Sequence, residues 1–423
     1  MRQGLAFVYC VVAVLAACKT DAPTANTPDD APAPAPAPVT DREGIPVSTP
    51  AAEGISDSAL QVLIANASTE RSEGVVILRN GKVVYENYFG RIDAPIMAMS
   101  ASKSFVGLAF GFLLADRKLA SLDEPVVKQL PTFADADPRK ASITYRHLLS
   151  HTSGLDPTRD MGDIEAKAIV SRTLFAPGTG WQYNNAGVDL LALLAGRLAG
   201  KPMDQYLNEK LFFPMGINNV SWVRDLHGVP LGAGEMRIRP LDLAKVGQAI
   251  LDGGQWQGKQ VIPLDWMAAS AAASTTFAPE YGLLWWRLVN YTAIGITSDL
   301  LTQWRSMGAP DSTMAKLQPL VSESYTAPSA YYAAMAARLT PAEYTAFMKW
   351  LGATNHMPYF RVLGTTPSLG ISAQGWLGQY LTIFPEKQLV AVRMRRALAE
   401  DYTSPTEQFG YRAFSSNVFR LVP

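Results

Sequence analysis

The chain has 423 residues, 48% of them hydrophobic, enough for a large core and, by length alone, for two or three domains. Lys plus Arg and Asp plus Glu both total 37, so the net charge gives no reason to expect a nucleic acid or an acidic membrane face as partner. Only Cys10 and Cys18 occur, both near the N-terminus, which excludes a disulfide, a Cys-based metal site and a thiol nucleophile from the folded part.

Arg2 gives a positive start and Gly4 to Ala17 form an apolar stretch, the pattern of an export signal over residues 1–17. That stretch is too short to span a bilayer, which needs about 20 residues. "LAAC" at 15–18 resembles the bacterial lipoprotein lipobox. The resemblance implies cleavage before Cys18 and lipidation of its thiol, with Lys19 favouring outer-membrane sorting. The expected location is thus the bacterial cell envelope, lipid-anchored, on the periplasmic side. Residues 18–50 are rich in Ala and Pro and poor in large apolar side chains. They read as an extended tether ahead of a folded domain over 51–423.

The folded part begins and ends in strands. "GVVILRNGKVVYENYFG" at 74–90 has two β-rich runs joined by Asn80-Gly81, a strong hairpin signal. "GQYLTIF" and "QLVAVRM" flank a turn at Pro385-Glu386-Lys387 and predict a second hairpin. Helical periods and caps dominate between them. The expected class is therefore α+β: an antiparallel sheet closed by both ends of the chain, flanked by helices, with an all-helical subdomain inserted.

"MSASKSFVG" at 99–107 places three serines and a lysine just ahead of "FVGLAFGFLLA", which is apolar on all sides as in a buried helix. Residues three apart on a helix share a face, so Ser100 pairs with Lys103 while Ser102 and Ser104 do not. A lysine leading into a buried helix loses its proton readily and becomes an amine base. The first turn also leaves backbone N–H groups free for an oxyanion. The bland alternative is a capping serine beside a solvated lysine.

"PGTGWQYNNAGVDLLALLAGRLAG" at 177–200 is a Gly/Pro turn, a polar triplet and an amphipathic helix. With it the chain resembles the serine β-lactamase and penicillin-binding-protein superfamily, closest to its class C-like branch with the family VIII esterases and nylon-oligomer hydrolases. Ser100-Ala101-Ser102-Lys103 matches the S-x-x-K motif and Tyr183-Asn184-Asn185 the Y-x-N motif. "ITYRHLLSHTSGL", "LNEKLFFPMGI", "GAGEMRIRPLDLAKVGQAILDGG" and "YGLLWW" extend the likeness over most of 55–395. The resemblance implies that Ser100 attacks a carbonyl, that Lys103 and Tyr183 share the proton work, and that Asn185 orients the substrate or the lysine. It implies no metal and no organic cofactor. An ammonium beside Tyr183 is expected to lower the phenol's pKa, and the pair to titrate as a unit.

The third motif departs from the drug-binding relatives, whose K-T-G triplet holds a carboxylate. No such triplet follows Tyr183 in a strand context. "SAQGWLGQY" at 372–380 matches instead the version of the esterase-like relatives. Ala373-Gln374-Gly375 then stands for Lys-Thr-Gly, and Trp376 supplies a second oxyanion N–H beside that of Ser100. Arg237 and Arg361 are candidates for a replacement cation. His147 and His151 share a zinc-like spacing without the glutamate of the metalloprotease motif, and "SHTSG" reads as a helix end with a glycine cap. Of Trp285 and Trp286, one faces the core and the other the pocket, with Trp286 the pocket candidate.

A helical insertion is expected at about 290–357. "LTPAEYTAFMKWLG" carries Thr340 as N-cap, Glu343 in a capping box and Gly352 as stop. It reads either as a lid that shapes substrate choice or as packing surface. Three functions follow: a serine hydrolase of esters or small amides, a β-lactamase or D,D-peptidase, or a penicillin-binding sensor without turnover. The expected partner is a small-molecule ester or amide, with no nucleic acid and membrane contact through the N-terminal lipid only.

Overall fold

The computed structural model describes residues 41–353, 359–402 and 413–423. The expected signal, the lipidation site Cys18 and most of the tether lie outside them. Residues 41–50, ahead of the expected domain boundary at 51, already take part in the fold. Asp41–Arg42 and Ile45–Pro46 pair as a short hairpin, Ile45 is buried in the core, and Glu43 bonds Arg239 at 2.8 Å and Lys245 at 2.7 Å. Two ion pairs and one buried isoleucine thus recruit residues whose Pro-rich surroundings read as tether.

Three elements follow this hairpin: helix α1 (Asp57–Thr69), then strands β1 (Gly74–Arg79) and β2 (Lys82–Asn87). Asn80 and Gly81 turn the hairpin with φ of 53° and 75°, the left-handed geometry that its tight loop requires. Helix α2 (Ser102–Ala115), helix α3 (Tyr145–Leu149), helix α4 (Asn185–Ala199) and helix α5 (Pro240–Leu251) follow. The chain then returns through β3 (Trp286–Arg287), and later β6 (Ile371–Gly375), β7 (Gln379–Phe384) and β8 (Leu389–Met394). Between β3 and β6 come β4 (Tyr291–Gly295) and β5 (Arg361–Thr365).

The six-stranded sheet runs β3-β6-β7-β8-β1-β2, antiparallel throughout. Pairing of β8 with β1 joins the two ends of the domain, as the sequence led us to expect. Both faces are covered. Val76, Leu78, Leu381 and Val392 enter the core that holds α2 and α5, while Val75, Ile77, Tyr380 and Phe384 pack with α1 and the C-terminal helix Phe414–Phe419. A two-sided sheet explains why β7 and β8 are buried at every position.

Helix α2 is buried from Ser102 to Leu113. Phe105, Leu108, Phe110 and Leu113 are among the side chains it buries, each contributing about 1.5–3 kcal/mol. The helical part also carries short strands: Ile96–Met97 and Ser221–Trp222 both pair with Met236–Ile238.

The insertion is not purely helical, because β4 and β5 pair with each other and close it at its base. Its own core includes Ile294, Leu300, Trp304, Met335 and Phe347. Thr340 and Glu343 form the expected capping box, with N–H···O distances of 2.9 and 3.3 Å. The helix runs through Gly352 to Ala353, so this glycine does not stop it; residues 354–357 of the expected insertion lie outside the described ones. Among the described residues no helix is long and apolar enough to cross a membrane.

Candidate active site

Ser100 lies in a 3-10 turn, Met99–Ala101, immediately ahead of α2 rather than inside its first turn. The face argument survives, because residues three apart also align on a 3-10 turn. Met99 has a φ of 49°, a left-handed conformation that a non-glycine residue seldom adopts, so the turn holds local strain next to Ser100. The three serines have separate partners. Lys103 Nζ donates to Ser100 Oγ at 2.8 Å. Ser102 donates to the Met99 carbonyl at 2.6 Å and accepts from the Met236 N–H, bracing the strained turn. Ser104 donates to the Leu284 carbonyl at 2.7 Å and pins the segment that leads to Trp286.

Lys103 is 1% exposed, donates also to the Ala233 carbonyl, and has its Nζ 4.9 Å from the centre of the Tyr183 ring. Burial pushes its pKa down to about 7, with Asp189 opposing, so near neutral pH a large share is free amine. Tyr183 hydrogen-bonds with Ser100, yet burial pushes the phenol well above its usual range. This reverses the expected lowering. A lysine that is itself half-deprotonated offers little positive charge, and desolvation of the phenolate wins.

Aromatic rings surround Tyr183. Trp286 stacks on it at 6.1 Å and 19°, and His151 packs at 4.7 Å. Trp181 and Tyr281 complete the cluster. Trp285 is fully buried in the core, so of the tryptophan pair Trp286 is the one beside Tyr183. His151 Nδ1 accepts the Asn184 N–H at 3.2 Å, and its Nε2 meets the Tyr281 hydroxyl at 3.2 Å. His147 instead accepts the Thr144 N–H in the α3 capping box. The first left-handed residue after α3 is His151, φ 59°, and the glycine of "SHTSG", Gly154, is left-handed as well at φ 69°. The His151 brace on the Tyr183 segment gave no sequence signal beyond its place in "SHTSG".

The cap of α4 is Asn184, whose Oδ1 accepts the Gly187 N–H at 2.8 Å and whose Nδ2 donates to the Leu155 carbonyl. Asn185 stands half-buried at the first position of the helix, two residues after Tyr183 in the chain.

Strand β6 brings the third motif against the Ser100 turn. A Cβ on Gly375 would fall 2.4 Å from the Ala98 carbonyl oxygen and 3.1 Å from the Ala101 nitrogen, so only glycine permits this approach. The side chains of Ala373 and Gln374 take opposite faces of the sheet. Ala373 is buried opposite Leu381 in the core. Gln374 pairs with Tyr380, and the alternation of a strand places it on the face that carries Tyr380 and Phe384. Trp376 follows the strand with its ring 4.9 Å from that of Tyr402. The turn after it, with Leu377 at φ 63°, is held by Arg393, which donates to the Leu377 and Gly378 carbonyls at 2.6 and 2.8 Å.

Of the two candidate cations, Arg361 is already engaged by the insertion. Arg361 is 2% exposed and bonds Asp299 at 2.9 Å and Gln303 at 2.7 Å. Arg237 is exposed on the short strand paired with Met97.

A hydroxyl held by a buried amine, a phenol bonded to that hydroxyl and a glycine-tipped strand edge beside the helix start are the parts of an acyl-transfer site of the serine-hydrolase type. Residues 63–401 match the Beta-lactamase family, and the chain belongs to it. Esterase EstB of Burkholderia gladioli is 30% identical over 182 residues, 35% of this chain and 46% of that protein. The chain spans about half the length of the first curated relatives it matches. A class C beta-lactamase solved in complex with cefoxitin shares the fold, with TM-score 0.53 and 15% identity over 86% of this chain and 96% of that one. So does EstCE1, described as a hydrolase with promiscuous acyltransferase activity, with TM-score 0.52 and 17% identity over 81% and 94%.

Proposed function

We propose that the protein is a serine hydrolase that forms an acyl-enzyme on Ser100 and acts on esters or small amides. The observation that carries this reading is the 2.8 Å contact of a buried, readily deprotonated Lys103 with Ser100 Oγ. Ser100 Oγ attacks the substrate carbonyl while its proton passes to Lys103 Nζ. The oxyanion that forms takes hydrogen bonds from the N–H groups of Ser100 and Trp376. The Tyr183 hydroxyl gives its proton to the leaving oxygen or nitrogen and is reprotonated from Lys103. Water then attacks the Ser100 ester by the same path in reverse, and the acid leaves. Asn185 orients the substrate or the amine.

Trp286 and the aromatic cluster form one wall of the site. The insertion touches that cluster, since Gln303 donates to the Trp181 carbonyl at 3.0 Å and Arg361 lies over the Phe277 ring. This supports a role for the insertion in substrate choice.

Ester preference rests on the missing cation. Charge-assisted bonds to a carboxylate are worth about 1.5–3 kcal/mol, so lacking them costs a β-lactam between ten- and about a hundred-fold in kcat/KM. Neutral short-chain esters lose nothing. Purified protein should hydrolyse p-nitrophenyl butyrate far faster than nitrocefin. Equal or faster nitrocefin turnover would favour the β-lactamase or D,D-peptidase reading, and labelling by penicillin without turnover the sensor reading.

The N-terminal motif supports placement as a lipoprotein in the cell envelope, anchored through Cys18. Mature protein should begin at lipidated Cys18 and partition into detergent, while Cys18→Ala should be released soluble or stay unprocessed. An unmodified N-terminus beyond residue 18, found by mass spectrometry in the native host, would sink this placement.

A further inference from the structure

Behind the amine of Lys103 lies a charged cluster that the acylation chemistry does not use. Asp189 is a carboxylate in the otherwise apolar run "VDLLALLAG" of α4, and it is buried. Its Oδ1 accepts the Ala233 N–H at 2.9 Å, and the carbonyl of the same Ala233 accepts from Lys103 Nζ. Arg159, in the loop beyond α3, donates to Asp189 at 2.6 and 3.2 Å and to Glu235 at 3.3 and 3.1 Å. Glu235 sits two residues past Ala233 with φ 63°, a left-handed conformation that the Arg159 clamp holds in place. Residues 233–235 are therefore fixed at both ends by one arginine and its two carboxylates.

We propose that Asp189, locked by Arg159 and Glu235, is a positioning residue for Ser100 acylation, acting through Ala233 to hold Lys103 Nζ on the Ser100 hydroxyl. The inference rests on the acyl-enzyme reading above. The cluster also sets the charge around the amine. Asp189 on α4 and Glu235 favour the ammonium form, while Arg159 opposes it and acts with burial, which outweighs the two carboxylates. On the remaining side the amine faces the Tyr183 ring, which in turn packs on His151. Loss of the Asp189 charge leaves Arg159 opposed by Glu235 alone, so Lys103 releases its proton at lower pH. Activity that needs the free amine then extends to lower pH, while its ceiling falls because Arg159 loses one of its two acceptor oxygens on residue 189 and holds the Ala233–Glu235 segment less firmly.

The test compares kcat/KM for p-nitrophenyl butyrate against pH in wild type, Asp189→Asn and Glu235→Gln, with fluorophosphonate labelling of Ser100 in each. Asp189→Asn should lower the plateau about ten- to a hundred-fold, with KM changed less than about twofold. Its acid limb should move down by about half a pH unit or more. Glu235→Gln, at a partly exposed site, should move the limb the same way by less, and it carries the test if Asp189→Asn does not fold. A purely structural role would lower the plateau and leave the limb in place; unmoved limbs in both variants, with a wild type that labels at Ser100, overturn this inference alone. A wild type that does not label at Ser100 sinks the acyl-enzyme reading and this inference with it.

Discussion

Ser100→Ala should lower ester turnover by about 10⁴-fold or more while the protein stays folded, since groups that act as one catalytic unit fail together. Lys103→Met should cost a similar factor, because the methionine fills the same buried space but cannot take the Ser100 proton. Both variants should lose fluorophosphonate labelling. Ser102→Ala removes the bond to the Met99 carbonyl, worth about 0.5–1.5 kcal/mol. It should lose only a few-fold in activity, with the label still on Ser100. Peptide mapping that finds the label on Ser102 or Ser104 in wild type would overturn the assignment of the nucleophile.

Tyr183→Phe should reduce kcat by about 10²–10⁴-fold, the range for losing one proton-transfer group, with little change in KM. The ring contacts to Trp286 and His151 survive the substitution, so the loss reads the hydroxyl alone. The pH profile separates the two partners. Lys103 must be neutral to accept a proton, so wild-type kcat/KM should rise with pH through about 7 and level off above it. The residual activity of Tyr183→Phe should keep that limb. If the limb disappears with the hydroxyl, the phenol and not the amine is the base.

The sequence by itself determined the parts that depend on spacing along one element. The Ser100–Lys103 pairing followed from a three-residue interval, and the buried character of α2 from its lack of any polar face. The Asn80-Gly81 hairpin and the Thr340–Glu343 cap are local chemistry and stand as read. Closure of the sheet by both chain ends was legible because strands at each end have nowhere else to bury their second face.

Tertiary packing decided what no interval encodes. The direction of the Tyr183 shift depends on how completely the phenol is desolvated, and that is set by Trp286, Tyr281 and His151 arriving from distant segments. Ala373 and Gln374 were read as a motif, but the pleat gives adjacent residues opposite faces, and only the register with β7 shows which face each takes. Arg361 looked available as a cation until the insertion's own Asp299 and Gln303 were seen to hold it. The cluster of Arg159, Asp189 and Glu235 joins three separate stretches of chain. Its one trace in the sequence is a lone aspartate in an apolar helix, because a buried charge is tolerated only where folding brings it a partner.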